Sequence, residues 1–545
     1  LFRLRGMSSD KAQPKAAPRG ELKEGKEGEK NIRKSNIIAA KSVADAVRTS
    51  LGPRGMDKMI LTENGETIIT NDGATIIQKM KLQHPCAMMM AELSRSQDIE
   101  AGDGTTTVTI LAGAMLSAAN ILLNKGINPA VIARAFHKSA AKSAEILKEV
   151  STPIDLADRN SLLQAASTSL NSKVVNQASQ IFAPIAVDAV MKVIDIKTAN
   201  NVDLRNIRVT KKIGGTIDDT ELVDGLVFLQ KASHVSGGPT KVSKAKIGVC
   251  QFCLSPPKTN MEGNVVITDY AQMDKVLKEE RAYTLKMCRA IQKSGCNVLL
   301  VQKSILRDGV SDLALHFLAK LKIMVIKDIE REDIEFICKT IEAVPIASIE
   351  GFTADKLGEA ENVEEVIVGD DDKVVKVTGV KGVAPCVSVL VRGANRLVLD
   401  EADRSLHDAL CVVRSLVKTK YLCPGGGAME AELCCKLKAW AETLHGEEGM
   451  CVKEYADAFE IIPYTLAENA GLNPMELVTE LKHAHLAGKT TAGISMRRGT
   501  HSQGTIDDMQ KLNVVNPLLV FLSAVKLATD TVTLILKIDN IVVAR

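Results

Sequence analysis

Along the 545 residues the hydrophobic periodicity changes character twice, and this constrains the fold more than any single motif. Over residues 35–150 apolar side chains recur at helical spacing, as in Ile37, Ala40, Val43, Ala44 and Val47. Leu51-Gly-Pro-Arg-Gly55 breaks the first helix, and a hairpin-like interruption is expected around 66–77. Helices are expected over 105–123 and 131–147, and helical pattern continues over 155–197. A strand-rich stretch starts at 209. Over 224–380 short apolar runs at 297–302 and 323–326 alternate with helices such as 311–321, the βαβ rhythm of a separate α/β unit. Within it, residues 254–274 are broken by Pro and Gly and are expected to protrude. After a strand at 389–392 the chain returns to long helices at 399–418 and 427–444, and ends in a strand-like 538–543. A helical unit at both ends with an α/β unit between them implies a chain that goes out and comes back.

Charge narrows the possible ligands. Residues 1–34, rich in Lys, Glu, Gly and Pro, are expected to be a disordered tail and hold ten basic and five acidic residues. The remaining 59 basic and 61 acidic residues leave a net charge of −2. A nearly neutral body lacks the basic face that duplex binding needs. With 10 Phe, 5 Tyr and 1 Trp, it also lacks stacking platforms for single strands, so no nucleic acid partner is expected. No apolar run near Phe2 and Leu4 has signal-peptide length, and the charge-free run 105–124 carries Thr, Ser and Asn, as a buried core helix does. The expectation is a soluble, cytoplasmic chain with no membrane partner. Twelve cysteines lie mostly in apolar contexts. Cys250 and Cys253 form a C-x-x-C without a second pair at zinc spacing, so buried reduced thiols are expected.

Two fragments imitate a Walker A loop and fail. Gly25-Lys26 is followed by Glu27, and Gly488-Lys489-Thr490 has His483 where the first glycine belongs. A better phosphate candidate is Gly102-Asp-Gly-Thr-Thr-Thr107, which opens an apolar helix. Glycines let backbone N–H groups point one way, the helix N-terminus adds positive potential, and the hydroxyls add donors. Asp103 there suits Mg2+, which takes one or two carboxylates beside phosphate oxygens. Taken alone, the same residues also suit an ordinary capped helix start. Gly52-Pro53 could be only a helix stop, and Thr70-Asn-Asp-Gly-Ala-Thr75 only a turn. Gly425-Gly-Gly427 repeats the loop-to-helix geometry far along the chain. Asp408 falls near Leu406, Ala409 and Leu410 on a buried side, where an acid needs a partner or a task. His407 beside it suits a packed or surface position.

Taken together, the stretches Thr49-Ser-Leu-Gly-Pro-Arg-Gly-Met-Asp-Lys58, Thr70–Thr75, Ala101-Gly-Asp-Gly-Thr-Thr106, Arg404-Ser-Leu-His-Asp-Ala-Leu410 and Leu466-Ala-Glu-Asn-Ala-Gly471 resemble the group II chaperonins of the cytosolic eukaryotic type, from about Ser35 onward. Thr168-Ser-Leu-Asn-Ser-Lys-Val-Val175, Gln251-Phe-Cys-Leu-Ser255 and Gln302-Lys-Ser-Ile-Leu-Arg-Asp308 are similar to one of that family's eight paralogous subunits in particular.

The resemblance implies a multidomain α+β chaperonin fold. A mostly helical equatorial ATP-binding domain would take 35–155 and 412–545. A small intermediate domain would take 156–223 and 381–411, and an α/β apical domain with a lid protrusion near 254–274 would take 224–380. Hinges would fall near Gly214-Gly215 and Arg392-Gly393. Carried over, Leu51, Gly52 and Pro53 would line phosphates and base, with Gly425 and Gly426 contacting the nucleotide and Gly493 near the base. Asp103 would hold Mg2+, and Gly104, Thr105, Thr106 and Thr107 would bind phosphate oxygens. Lys173 would sense the γ-phosphate. Asp72, followed by Gly73, and Asp408 would orient and deprotonate the attacking water. Asn516 stands where most members carry an acid, which removes a charge-assisted bond to the nucleotide. The implied activity is ATP hydrolysis coupled to protein folding, with ATP and Mg2+ as cofactors. The implied partners are other subunits of a hetero-oligomeric double ring and unfolded clients such as actin and tubulin. Two other readings stay open: a ring member that binds nucleotide but turns over slowly, and a small-molecule kinase, for which no acceptor-site residues stand out.

Overall fold

The computed structural model describes residues 26–62, 65–196, 199–233, 237–255, 269–305, 308–368, 372–380, 386–496 and 505–541, with the side chains of all of these except 26–31 and 505. Among them the chain builds separate hydrophobic cores, and helices and strands mix as an α+β protein.

The first core joins the two ends of the sequence. It gathers Ile37 to Leu147 with Cys423 to Leu536, from the helices Lys26–Arg48, Pro85–Glu100, Thr105–Asn124, Pro129–Val150, Ala428–Ala441, Glu447–Ala458 and Leu518–Lys537. Thr105–Asn124 and Leu518–Lys537 are long and apolar enough to cross a membrane by composition alone. Here they pack on one another within this core, which explains their apolarity on nearly every face. At its centre Tyr455 bonds the Thr529 hydroxyl at 2.8 Å and meets the Phe136 ring at 5.0 Å.

A second core packs Arg159–Leu170 and Ser179–Val193 against the helix Arg396–Thr419. Beside it, strand Val387–Gly393 runs parallel to Ile207–Ile213 and antiparallel to Glu221–Val223. The expected hinge residues meet here: Gly214 N–H donates to Gly393 O at 2.9 Å, and Arg392 Nε donates to Gly214 O at 2.7 Å. The outgoing and returning chain therefore cross side by side.

The middle of the chain forms a six-stranded sheet in the order Gly225–Phe228, Lys373–Val380, Gly358–Ile367, Lys241–Cys250, Val298–Gln302, Met324–Ile329. Its last two pairings are parallel and the other three antiparallel. Strand side chains alternate between faces. Val298 and Leu300 accordingly enter one core with the helix Arg331–Ile341, while Leu299 and Val301 enter another with Tyr270–Lys293 and Asp312–Lys320. Burial on both faces is why this run is continuously apolar.

Several sequence expectations shift. The tail is shorter, because a helix already starts at Lys26 in a Pro-free stretch of Lys and Glu; residues 1–25 lie outside the described residues. The hairpin sits earlier, pairing Lys58–Leu61 with Thr67–Thr70, because Asp72 caps a helix at Gly73–Lys79 and does not sit in a hairpin turn. Of the expected protrusion, 256–268 lie outside the described residues, and its end opens the helix Tyr270–Lys293 behind the cap Asp269. Among the described residues no strand follows residue 537. Ile538 N–H closes the last helix onto Ile535 O at 3.2 Å, no described strand runs beside 538–541, and 542–543 are outside the described residues. All twelve cysteines are free, and Cys250 is buried, its thiol pushed up by that burial.

Candidate nucleotide site

A cavity of about 1070 Å³ opens between the first and second cores. Local chemistry positions each wall. The helix Lys26–Arg48 ends and the chain turns through Leu51-Gly52-Pro53, held by Asn469, whose side-chain amide donates to Arg48 O at 3.1 Å and Leu51 O at 2.9 Å. That contact, spanning 418 residues between Asn469 and Leu51, is why the motif around residue 469 and the motif around residue 52 belong together. Arg48 also pairs with Glu468.

The phosphate-loop candidate forms the next wall. Gly104 is the N-cap of Thr105–Asn124 at φ 76°, a left-handed conformation that glycine adopts without a Cβ penalty. Its N–H donates to Asp103 Oδ1 at 2.7 Å. Gln97, fully buried, donates from Nε2 to the backbone carbonyls of Asp103 at 2.9 Å and Val520 at 3.3 Å, fixing the loop from behind. Gly73 lies against the same helix start: a Cβ there would sit 2.5 Å from Thr106 Oγ1 and 2.8 Å from its backbone N.

Asp72 joins these elements. Its Oδ1 accepts from Ala74 N (3.3 Å) and Thr105 Oγ1 (2.9 Å), and its Oδ2 from Thr75 N (3.0 Å) and Thr75 Oγ1 (2.7 Å). A carboxylate has about four acceptor sites, so in this conformation Asp72 is saturated and serves as an anchor.

The third wall comes from the second core. Asn71 Nδ2 donates to Ser172 O at 3.2 Å, which places Lys173 opposite the loop. Lys173 Nζ pairs with Asp408 Oδ2 at 2.5 Å, the two side chains only 10% and 12% exposed. Burial disfavours the ammonium, but Asp408, Asp72 and Asp103 together outweigh it and raise the Lys173 pKa. Burial works against the Asp72 charge too, yet Lys173 and the Thr75 and Thr105 donors hold its carboxyl below the usual range. At Asp103 burial wins and raises the pKa, with the Asp408 charge adding to it. Asp98 behaves likewise, raised by burial and then by Asp408 and Asp72. His407 is half-exposed and approaches Cys411 Sγ at 3.7 Å.

The far wall is Gly425-Gly426 and its neighbours. Gly425 N–H donates to Val514 O and Ile494 N–H to Gly426 O, both at 2.9 Å. Asn516 lies on Val515–Pro517, opposite Cys423 in the antiparallel pair with Tyr421–Pro424.

Of the expected residues, Leu51, Gly52, Pro53, Asp103, Gly104, Thr105, Thr106, Thr107, Lys173, Gly425, Gly426 and Asn516 line the cavity. Asp72, Gly73 and Asp408 touch lining residues from behind. Gly493 does not line it: a Cβ there would lie 3.0 Å and 3.1 Å from the Gly425 and Gly426 carbonyls, so it packs under that loop. Sequence reasoning missed the wall from Gln164, Thr168 and Ser169, the brace Gln97, and two acids, Asp98 and Glu430. Of these, only Thr168 and Ser169 lay in a stretch already singled out.

The donor set fits a magnesium nucleotide. Asp72, Asp103 and Asp408 gather around Lys173. The second base is His407, 3.9 Å from Asp408 and raised to about 11 by Asp408 and then Cys411. Three acids therefore face two bases, and a hard cation would balance the remainder. Asp103 with Thr105, Thr106 and Thr107 is an all-oxygen set of the kind Mg2+ takes, and the cavity has the size of a nucleotide site.

The sequence profile of the TCP-1/cpn60 chaperonin family matches residues 43–545. A Dictyostelium discoideum protein named T-complex protein 1 subunit delta is 58% identical over 540 residues, covering 99% of this chain and 100% of its own. Its human counterpart is 58% identical over 514 residues, 94% of each chain. The one from Schizosaccharomyces pombe is 56% identical over 520 residues, covering 95% of this chain and 98% of its own. Delta is the paralogue that the stretches around residues 168–175, 251–255 and 302–308 resemble.

Proposed function

The chain belongs to the TCP-1/cpn60 chaperonin family, and from that premise we propose that it is an ATP-hydrolysing subunit of a cytoplasmic, hetero-oligomeric double-ring chaperonin. The observation that carries the reading is the Lys173–Asp408 pair at 2.5 Å. Both residues belong to the second core, and the bond from Asn71 Nδ2 to Ser172 O at 3.2 Å sets this pair against the phosphate loop of the first core across one cavity. The first core is then the equatorial ATP-binding domain, the second the intermediate domain, and the six-stranded sheet the apical domain that meets clients such as actin and tubulin.

In this reading the Gly102–Thr107 loop receives the phosphates, with the Thr105, Thr106 and Thr107 hydroxyls and the helix N-terminus as donors. Asp103 would hold Mg2+, which when bound neutralises phosphate charge. The ammonium of Lys173 is drawn to the terminal phosphate of ATP, which releases the Asp408 carboxylate. Asp408 then accepts a proton from water as the water oxygen bonds to the γ-phosphorus, and the bond from that phosphorus to the ADP oxygen breaks. As the Thr105 hydroxyl turns from Asp72 to a phosphate oxygen, Asp72 Oδ1 is freed to help orient the water. Since Asp408 rides on the second core, hydrolysis requires that core to close on the first, which links chemistry to lid closure.

The test is to tag the full chain in cytosol, measure the native mass and companion chains of the particle it enters, and assay that particle for Mg2+-dependent ATP hydrolysis. A ring of related chains with that activity supports the reading. A free monomer or homodimer acting on small molecules contradicts it.

A further inference from the structure

The helix Ala428–Ala441 carries two buried glutamates with opposite fates. Glu432 is satisfied by the protein: its Oε2 meets His485 Nδ1 at 2.7 Å, and Lys436 Nζ lies 3.5 Å from Oε1. Glu430, one half-turn earlier, is 7% exposed and lines the nucleotide cavity, and its Oε2 has no hydrogen-bond partner among the described residues. Burial pushes its carboxyl up to about 7, opposed by its own backbone N–H. The neighbouring titratable group is the Cys423 thiol, itself raised to about 12 by burial and then by the Glu430 charge. A buried acid left unpaired costs free energy, and a cavity-lining one is satisfied by what enters the cavity.

The chemistry of the entering group follows from charge. A carboxyl in the first turn of this helix repels phosphate, so the Gly425–Gly427 end is not the second phosphate-binding helix start that its glycines imitate. The phosphates belong with Lys173 and Thr105 to Thr107. Glu430 instead follows the Gly425–Gly427 loop, which Ile494, Met509 and Asn516 flank, and all of these line the cavity. We propose that Glu430 is a nucleotide-recognition residue whose carboxyl pairs with a hydrogen-bond donor of the nucleoside, the adenine amino group or a ribose hydroxyl. This rests on the reading of the cavity as an ATP site.

The experiment titrates the full chain, in Mg2+, with ATP, inosine triphosphate, 2′- and 3′-deoxy-ATP and inorganic tripolyphosphate, for wild type, Glu430→Leu and Glu430→Gln. Leu removes the acid while preserving bulk. The expected result is an ATP affinity about tenfold weaker in E430L, with tripolyphosphate binding unchanged. Wild type discriminates against the analogue lacking the recognised donor, inosine triphosphate for the amino group or a deoxy-ATP for a hydroxyl. E430L does not, and E430Q, which keeps an acceptor oxygen, still does. ATP affinity equal to wild type in both variants overturns the proposal, as does parallel weakening of tripolyphosphate, which marks a merely structural role. Wild type that binds neither ATP nor tripolyphosphate removes the nucleotide reading itself, and the proposal with it.

Discussion

Replacing Lys173 with Met removes a buried ammonium from among the carboxylates of Asp72, Asp103 and Asp408. The Lys173–Asp408 contact is 2.5 Å between side chains about nine-tenths buried. At an effective dielectric of about 20 that attraction is on the order of 6 kcal/mol before desolvation is returned. Breaking a buried pair by deleting one member costs about 3–5 kcal/mol. Lys173 also neutralises Asp72 and Asp103, so the upper part of that range is expected. The sign of the pH dependence follows. In wild type the Asp72 carboxyl is held below its unfolded value, so its stabilisation is present above about pH 3.9 and lost as pH falls through the folded value. Without Lys173 only the Thr75 and Thr105 donors still hold Asp72 down, and burial lifts Asp103 further above the unfolded value. The Asp103 destabilisation is then full at neutral pH and relieved as pH falls through its raised value. Urea unfolding of the full chain, followed by far-ultraviolet circular dichroism, should show a deficit at pH 7.5 that narrows by pH 5. Millimolar Mg2+ should stabilise Lys173→Met more than wild type. A deficit under about 1 kcal/mol, or one equal at both pH values, refutes the reasoning.

Other sites make independent predictions. Gly73→Ala drives a methyl to 2.8 Å from the Thr106 backbone N and should cost about 1–3 kcal/mol in urea unfolding while weakening ATP binding. Asn469→Ala loses two bonds to the Leu51 wall and should cost about 2 kcal/mol, with faster amide exchange at Leu51–Arg54. His485→Phe leaves Glu432 Oε2 without its partner, with Lys436 remaining on Oε1, and frees the Ala492 carbonyl, costing about 1–3 kcal/mol. Burial opposes the Glu432 charge, but His485 holds its carboxyl low in wild type, so that contribution exists above about pH 4.3 and fades as pH falls. The penalty should therefore be larger at pH 7 than at pH 4.

The loops that carry the site were legible because their chemistry is local. Gly104 must be left-handed and Gly52-Pro53 must stop a helix whatever surrounds them, whereas Asp72, expected in a turn, caps a helix instead. The α/β middle showed through Val298–Val301, apolar on both faces. Its antiparallel half stayed hidden: in Lys373–Val380 two lysines and a Thr-Gly break up the valines, and Val374, Val375 and Val377 are buried only in the sheet with Gly358–Ile367 and Gly225–Phe228. The helix Tyr270–Lys293 was missed because its first half is charged and only Thr284, Met287, Cys288 and Ile291 reach a core. Gln97 and Glu430 look like any polar residue on a helix. Their burial is decided by Val520 and Cys423, which lie far along the chain or on another element. Long-range packing also creates the Lys173–Asp408 pair, which no spacing rule connects.

The central claim is that this chain hydrolyses ATP through Asp408 in an assembled ring. Its most direct test is single-turnover ATP hydrolysis in rings carrying Asp408→Ala in this subunit alone, with ATP occupancy measured in parallel. The account predicts unchanged occupancy and loss of this subunit's share of the product burst, its own rate falling by about 100-fold or more. An unchanged total burst would contradict it and leave the chain a structural member of the ring.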